Sequence, residues 1–471
     1  MRPLWAYFAL TPDRSVPQVL SPLLDEAAGK GYTGVRFDLR WDRAQAKAPP
    51  GAVDVSSVEW AVRLARAKHL DVALGLDHSV APGWIDTKEF GMRGPKGTAV
   101  ISTRSGRPLL SLNAKQVCDW VAAFVTAVAA HYKDAVSFYE DLSQHLREDL
   151  EHRPGGGVLD HSPRCLEAYR AWLRVKYVDI RALNEAWESD YADWNKVEAG
   201  EGVRKSSQAD FHLFRYSTLA SWVAALSKAV KAGHPEADYA YRTPVEKMGS
   251  NLYRLAFDIG RYAKYADIVM CEEAVDPFVI AMIRTACEVS GARWGVEATP
   301  TGAAKAGPEE GADKDLVKWG LGIYRLGGFL SVQQPLVEDA GKTLEEEIVK
   351  VLEMPQPQPL NNRHAIYVSA AEIQFWDGTD CEQARNMWIA ATDSGKKTGV
   401  DVISDGIFAG APDVLRRYTA GITIPFGRVI AKEARTALIQ AQKSGIRLVF
   451  QFPDKAGIED EHGQRQDPLA G

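Results

Sequence analysis

The stretch "SSVEWAVRLARAKHLDVALGL", residues 56–76, joins the two sequence patterns that decide the fold. Its first part places apolar residues three and four positions apart, which predicts an amphipathic helix. Its last part, "DVALGL" (71–76), is a short continuous apolar run, which is typical of a buried parallel strand. A helix that leads directly into a buried strand is the repeating unit of an α/β protein.

The same unit recurs along most of the chain. Eight short apolar runs alternate with segments of helix length: "LWAYFA" (4–9), "GVRFDL" (34–39), "DVALGL" (71–76), "AVSFYEDL" (135–142), "DYAYRT" (238–243), "ADIVMC" (266–271), "RWGVEA" (293–298) and "GGFLSVQQ" (327–334). Eight strands with intervening helices predict a (β/α)₈ barrel, the TIM-barrel fold. An open doubly wound sheet is the rival fold, but it would be expected to carry a G-x-G-x-x-G turn, which this sequence lacks.

The chain divides into two predicted domains. Residues 1–352 form the barrel, with a helical insertion at 155–200 after the fourth strand. Residues 353–362, "EMPQPQPLNN", alternate prolines with polar residues and predict a stiff linker. Residues 363–471 repeat the strand–helix pattern and predict a flavodoxin-like α/β domain, which we expect to be structural because it lacks a phosphate-binding glycine loop.

Composition and charge argue against several classes of protein. A net charge of −6 without a long basic stripe argues against a nucleic-acid partner. No run of 18 apolar residues is present, and the apolar segment at the start is too short for a signal peptide, so we expect no membrane span and a cytoplasmic location. The five cysteines are scattered without zinc-ligand spacing. We therefore expect neither a metal nor a cofactor.

Polar residues gather where the predicted strands end, which is where barrel enzymes hold their reactive side chains. The seventh strand ends "WGVEATP", which places Glu297 at the mouth. The predicted substrate-contacting residues are Arg36, Asp77, His78, Ser143, Tyr241, Glu272, Glu273, Trp294 and Gln334. Carboxylates, amides and cations at this density suit a ligand rich in hydroxyl groups. The thirteen tryptophans fit either core packing or stacking on sugar rings.

Three stretches resemble the glycoside hydrolase family 42 β-galactosidases, which belong to a clan of retaining (β/α)₈ enzymes. The insertion "SPRCLEAYRAWLRVKYVDIRALNEAWESDYADWNKV" (162–197) is similar to an insertion of that family, and "RWGVEATPTG" (293–302) is similar to the segment around its nucleophile. In the second predicted domain, "GVDVIS" and "RRYTAGITIPF" resemble the family's trimerisation domain. The resemblance implies an exo-acting, retaining β-glycosidase that assembles as a homotrimer.

The resemblance also implies roles for single residues. Glu297 matches the nucleophile, and Arg36 matches the second-strand arginine that hydrogen-bonds the nucleophile and holds it ionised. The acid/base normally stands in an Asn-Glu pair, five residues after an aromatic residue of strand four. Counted from Tyr139, that pair falls on Ser143 and Gln144.

A glutamine at the acid/base position raises a chemical problem. A retaining glycosidase uses two carboxyl groups about 5 Å apart, one to attack the sugar and one to donate and later accept a proton. An amide can do neither. Three explanations stay open: a deliberate Glu-to-Gln substitution, a natural pseudoenzyme that binds carbohydrate without cleaving it, or a replacement carboxylate. The candidate replacements are Glu140, Asp141 and Glu148.

Two departures from the family pattern leave the sugar open. The sixth strand ends "CEEAVD" where the clan has a tyrosine beside the nucleophile, and the eighth ends "SVQQP" in place of a tryptophan. Glu272 and Glu273 are candidates to select a sugar with unusual hydroxyl placement or with a cationic group.

Overall fold

Eight parallel strands close into a barrel in which each strand pairs with the next in the chain and the eighth pairs with the first. The computed structural model describes residues 4–8, 16–29, 31–47, 52–101, 106–142, 160–200, 206–243, 258–272, 277–298, 323, 327–333, 363–371, 381–392, 399–408, 412–425 and 429–451. The closed barrel confirms the predicted TIM-barrel architecture, and the rival open sheet is wrong for this part of the chain. The predicted linker, 353–362, lies outside the described residues.

All eight barrel strands fall within the apolar runs of the sequence or extend them by one residue. They are β1 Leu4–Phe8, β2 Gly34–Arg40, β3 Asp71–Asp77, β4 Phe138–Asp141, β5 Asp238–Thr243, β6 Ile268–Glu272, β7 Arg293–Ala298 and β8 Phe329–Gln333. The described helices of this part are α1 Pro17–Gly29, α2 Trp41–Ala44, α3 Ser56–Ala67, α4 Thr87–Phe90, α5 Lys115–His131, α6 Pro163–Tyr177, α7 Ile180–Trp187, α8 Ser206–Gly233, α9 Ile259–Ala263 and α10 Pro277–Ser290. None of the described helices is long and apolar enough to cross a membrane.

An apolar layer fills part of the barrel interior. Its members come from alternate positions of six strands and form a buried cluster separate from the main core: Trp5, Ala73, Phe138, Ala240, Ile268, Met270 and Phe329. Since side chains alternate across a strand, residues two positions farther along these strands face the same interior, one level closer to the C-terminal ends. The main core lies outside the barrel wall, between the strands and the surrounding helices.

Helices α6 and α7 after β4 form a small core together with Phe211 and Phe214 of α8. Helix α6 begins where the Ser162 hydroxyl accepts a hydrogen bond from the Cys165 backbone N–H, with a proline at the first helical position. The buried carboxylate of Asp210 on α8 holds the insertion, because Lys176 Nζ, Tyr177 Oη and Trp187 Nε1 all donate to it, at 2.5, 2.6 and 2.9 Å.

A second parallel sheet follows the barrel. Its strands are β9 His364–Val368, β10 Val400–Ser404, β11 Gly421–Ile424 and β12 Leu448–Phe450, and its helices are α11 Cys381–Thr392, α12 Asp405–Phe408 and α13 Lys432–Lys443. The order β10–β9–β11–β12 agrees with the first four strands of a flavodoxin-like sheet. The flavodoxin-like class and the domain boundaries stay predictions.

Two buried carboxylates lie where the barrel meets this second sheet, and one of them, Asp258, bonds the two together. Asp258, just before α9, accepts hydrogen bonds from Ser404 Oγ at 2.7 Å and from the Gly406 backbone at 3.0 Å. Asp405, at the start of α12, accepts from Tyr367 Oη and from the Ala370 backbone. Burial, followed by repulsion from Asp258, raises the pKa of Asp405 to about 7.

We expect Asp405 to make stability fall as the pH rises. The folded chain holds the Asp405 proton up to about pH 7, whereas the unfolded chain releases it near pH 4, so the contribution is complete below about pH 4 and is lost by about pH 7. The free energy of unfolding of Asp405→Asn, measured relative to the wild type, should therefore rise by about 2–4 kcal/mol from about pH 4 to about pH 7. Urea unfolding at both pH values measures this. The exposed Asp413→Asn is the matched control, and an equal difference at both pH values would contradict the assignment.

Candidate active site

Glu297 lies inside the barrel near the C-terminal end of β7. It is the fifth residue of that strand, its Cα pairs with Glu272 of β6 and Ser331 of β8, and its side chain is buried. It is two positions beyond Gly295, where an added Cβ would collide with the Phe329 ring of the apolar layer. Glu297 therefore sits one level above that layer, toward the mouth.

Two arginines bind the same oxygen of Glu297. Arg36 Nη1 donates to Glu297 Oε2 at 2.7 Å, and Arg242 Nη2 donates to it at 2.6 Å. Burial on its own would raise the pKa of Glu297, but Arg242 and then Arg36 outweigh it by charge and hydrogen bonding and lower the pKa to about 2. The carboxylate is thus ionised at any ordinary pH, which is what a nucleophile requires.

A second carboxylate completes a ring of four charges. Glu140 of β4 accepts from Arg36 Nη1 at 2.7 Å through Oε2, and from Arg242 Nε at 2.8 Å through Oε1. We call Arg36, Glu140, Arg242 and Glu297 the charged ring. One oxygen of Glu140 and one of Glu297 each lie 2.7 Å from the same nitrogen, so they are within twice that distance of each other.

Tyr7 and Asp38 lie beside the charged ring. The Arg36 guanidinium stacks over the Tyr7 ring, 3.9 Å from its centroid, and Tyr7 Oη donates to Asp38 Oδ2 at 2.5 Å. The side chain of Asp38 is 23% exposed, whereas no side chain of the charged ring exceeds 6%. Burial raises the pKa of Asp38, against the charge of Arg36. Asp38 is therefore the carboxylate of this group that is most open to solvent.

The predicted pair Asp77 and His78 does not join the charged ring. Asp77, at the end of β3, accepts from the backbone and hydroxyl of Ser79 at 3.0 and 2.5 Å, as in an Asx-type turn. His78 is buried with Nε2 3.3 Å from Asp141 Oδ1. Asp141 also accepts from Trp222 of α8, so His78 and Asp141 lie on the helix side of the barrel wall.

Two predicted aromatic contacts also lie on the helix side. Tyr241 packs edge-on against Tyr262 of α9, with ring centroids 4.8 Å apart. Trp294 belongs to the main core and packs beside Gly328 and Ile323. The structure therefore places both residues in the packing layer and does not bring them to the charged ring.

Several predicted residues cannot be placed. Four site predictions and one replacement candidate lie outside the described residues: Ser143, Gln144, Glu148, Glu273 and Gln334. For Glu272 only the backbone is described, as the last residue of β6. Their roles stay predictions.

Arg242 is the site residue that the sequence reasoning missed. The prediction named Tyr241, one position earlier, which by strand alternation faces the opposite side of the wall. The alternation of side chains along β5 could have identified it. Arg242 is two positions beyond Ala240, which belongs to the apolar layer, so it faces the barrel interior as Ala240 does. Among the described residues, no group of His, Cys, Asp or Glu side chains could hold a metal ion.

A closed (β/α)₈ barrel with a buried, ionised glutamate at the C-terminal end of a strand defines a class of barrel proteins that includes many hydrolases. Comparison with known proteins narrows this class. The family model described as Beta-galactosidase, glycoside hydrolase family 42, matches residues 41–305. Because the match covers more than half of the chain, the protein belongs to glycoside hydrolase family 42, as the resemblance in the sequence predicted.

Curated relatives match over shorter segments. The β-galactosidase BgaA of a Thermus species is 30% identical over 208 residues, covering 41% of this chain and 30% of that protein. A β-galactosidase of Thermus thermophilus is 26% identical over 140 residues, covering 29% of this chain and 21% of that protein. The matched parts thus span less than a third of either relative.

Solved structures show the same fold over nearly the whole chain. A polyextremophilic β-galactosidase from Halorubrum lacusprofundi superposes with a TM-score of 0.75 at 14% identity, covering 99% of this chain and 75% of that one. An exo-carrageenase of family 42 from Bacteroides ovatus superposes with a TM-score of 0.70 at 12% identity, covering 99% and 67%. At this identity the likeness shows the fold alone.

Proposed function

We propose that this protein is a retaining, exo-acting β-glycosidase whose nucleophile is Glu297. One observation carries the proposal: a buried glutamate at the C-terminal end of β7 is held ionised by two arginines, Arg36 and Arg242. Family membership supports it, since Glu297 lies inside the matched segment.

The first displacement follows from this geometry. Both guanidinium bonds use Oε2 of Glu297, so we assign Oε1 as the attacking oxygen. It bonds to the anomeric carbon as the bond to the leaving oxygen breaks, which gives a glycosyl ester on Glu297. The carboxylate loses its negative charge in this step, and the two arginines favour its return when water later attacks.

Donation of a proton to the leaving oxygen is the step for which this chain is least equipped. Glu140 is unsuited to supply it, because each of its two oxygens already accepts a hydrogen bond from a buried arginine of the charged ring. Asp141 is bonded to Trp222 and Tyr239 on the helix side of the wall. Glu148, the third candidate, lies outside the described residues. We keep Gln144 as the acid/base position and infer a slow enzyme. A non-catalytic carbohydrate-binding protein is the second candidate, favoured by Gln144 alone.

The substrate is proposed to be a terminal β-linked sugar. The curated relatives are named as β-galactosidases, and one structural neighbour is named as an exo-carrageenase, so β-galactosides are the first compounds to test. A homotrimer formed through the second sheet and a cytoplasmic location remain proposals that rest on the family resemblance.

Covalent trapping tests the nucleophile. A dinitrophenyl β-galactoside with fluorine in place of the hydroxyl next to the anomeric carbon should leave one fluorosugar on Glu297, because its leaving group needs no proton and fluorine slows the second step. Intact-mass and peptide mass spectrometry measure the adduct. Glu297→Gln should stay unlabelled, and an adduct on another residue would show that Glu297 is not the nucleophile.

A further inference from the structure

A nucleophile held by Arg36 alone would need no other charged partner. The charged ring has a second arginine, Arg242, and a second carboxylate, Glu140. Arg242 binds both Glu140 and Glu297, and Glu140 binds both Arg242 and Arg36. The two positive and two negative charges cancel in a place where at most 6% of any of these side chains is exposed. The removal of any one of them leaves an uncompensated buried charge.

We propose that Arg242 and Glu140 are a coupled pair of positioning residues for Glu297: Arg242 fixes and charges its carboxylate, and Glu140 offsets the second guanidinium. The catalytic meaning of the pair rests on the proposed function, but the pairing itself is a property of the ring. Sequence reasoning considered Glu140 as a replacement acid, and the ring assigns it a different part.

The two members of the pair act on Glu297 with opposite sign. Loss of a guanidinium removes an attraction that favours the carboxylate, so the pKa of Glu297 rises. Loss of the Glu140 charge removes a repulsion, so the pKa falls. Loss of both together nearly restores the original charge around Glu297. Among the side chains that the structure describes, the charged or titratable groups that face Glu297 are Arg36, Glu140, Arg242, Asp38 and Tyr7.

The pair also affects the second displacement. There the bond between the anomeric carbon and Glu297 breaks, its electron pair returns to the carboxylate, and a water oxygen bonds to the carbon and releases its proton to solvent. A carboxylate stabilised by Arg242 is a better leaving group. Without Arg242 the glycosyl ester on Glu297 should therefore hydrolyse more slowly.

Direct titration of Glu297 tests the pairing without any need for activity. Carbon-13 NMR of glutamate labelled at the side-chain carboxyl follows each ionisation, and the Glu297 signal is identified by its loss in Glu297→Gln. Arg242→Met should raise the pKa of Glu297 by about 1–3 units. The double variant Arg242→Met with Glu140→Gln should return most of the way to the wild-type value.

A second variant keeps the test decisive if Arg242→Met does not fold. Arg242→Lys keeps the ring neutral but loses the forked guanidinium bonds, so the pKa of Glu297 should rise by about one unit or less and the trapped fluorosugar should be released more slowly. Thermal unfolding checks that each variant is folded. An unchanged Glu297 pKa and unchanged release in every folded Arg242 variant would overturn the pairing.

The failure of the pairing and the failure of the proposed function give different results. If fluorosugar labels no variant at any pH while the Glu297 pKa shifts as expected, the pairing stands and the glycosidase proposal falls. If Glu297 is labelled but neither its pKa nor its release rate responds to Arg242, the glycosidase proposal stands and the pairing falls.

Discussion

Gln144→Glu should raise the turnover of β-galactosides with poor leaving groups by about 10²–10⁴-fold, the usual contribution of a positioned acid/base. A glutamic acid at position 144 supplies the proton that the leaving oxygen needs, and its carboxylate then accepts a proton from water. Initial rates on natural disaccharides and on simple aryl β-glycosides measure the effect.

Activated substrates provide the matched control for this prediction. Dinitrophenyl glycosides need no proton on the leaving group, so the unsubstituted chain should already form the glycosyl ester on Glu297 from them and accumulate it. Gln144→Glu should change this first step little. Azide should speed turnover of the unsubstituted chain, because it attacks the ester without help from a base, and it should have little effect on Gln144→Glu.

A different result would favour a carbohydrate-binding protein over a glycosidase. If Gln144→Glu brings no gain on a panel of glycosides, while sugars still bind, the chain is not a glycosidase that lacks only its acid. The unsubstituted chain could instead be slower than Gln144→Glu by the same factor on activated and unactivated substrates, with no effect of azide. That result would show that position 144 is not the acid/base position.

The barrel was predictable because its strands depend on local pattern. A buried parallel strand is mostly apolar on both faces, so each of the eight appears in the sequence as a short, largely apolar run. The helix "SSVEWAVRLARAKH" and the strand after it were found at their predicted places, as α3 and β3. These features need no knowledge of distant contacts.

The charged ring was only partly predictable, because its bonds join distant parts of the chain. Arg242 meets Glu140 and Glu297, which are 102 and 55 residues away in sequence. At the end of a strand an arginine is expected to be exposed, and only the two carboxylates make its burial acceptable. Glu297 and Arg36 were named from their positions in the predicted strands, and the family resemblance then assigned their roles.

The sequence also did not predict which side of the barrel wall each residue faces. His78, Tyr241 and Trp294 all occur in the right strands or at their ends, yet each packs toward the helices. Fully buried parallel strands are apolar on both faces, so their sequence does not reveal which residues face inward. Once the apolar layer fixes one inward residue in a strand, alternation fixes the others.

Glu297→Ala should lower the turnover of dinitrophenyl β-galactosides by at least about 10⁴-fold, since loss of a nucleophile removes the whole covalent route.

The substitution leaves a space beside Arg36 and Arg242 in a ring that has lost one negative charge. Azide, a small anion, should bind in that space and attack the anomeric carbon once, from the face that Glu297 occupied. The product should then be the α-galactosyl azide. In the unsubstituted chain azide attacks after Glu297 has already inverted the carbon, so the product should be the β-galactosyl azide. Proton NMR of the anomeric hydrogen distinguishes the two products. Glu297→Gln is the matched control, because its amide fills the space and should prevent rescue. Formation of the β-azide by Glu297→Ala would mean that another group in the barrel is the nucleophile.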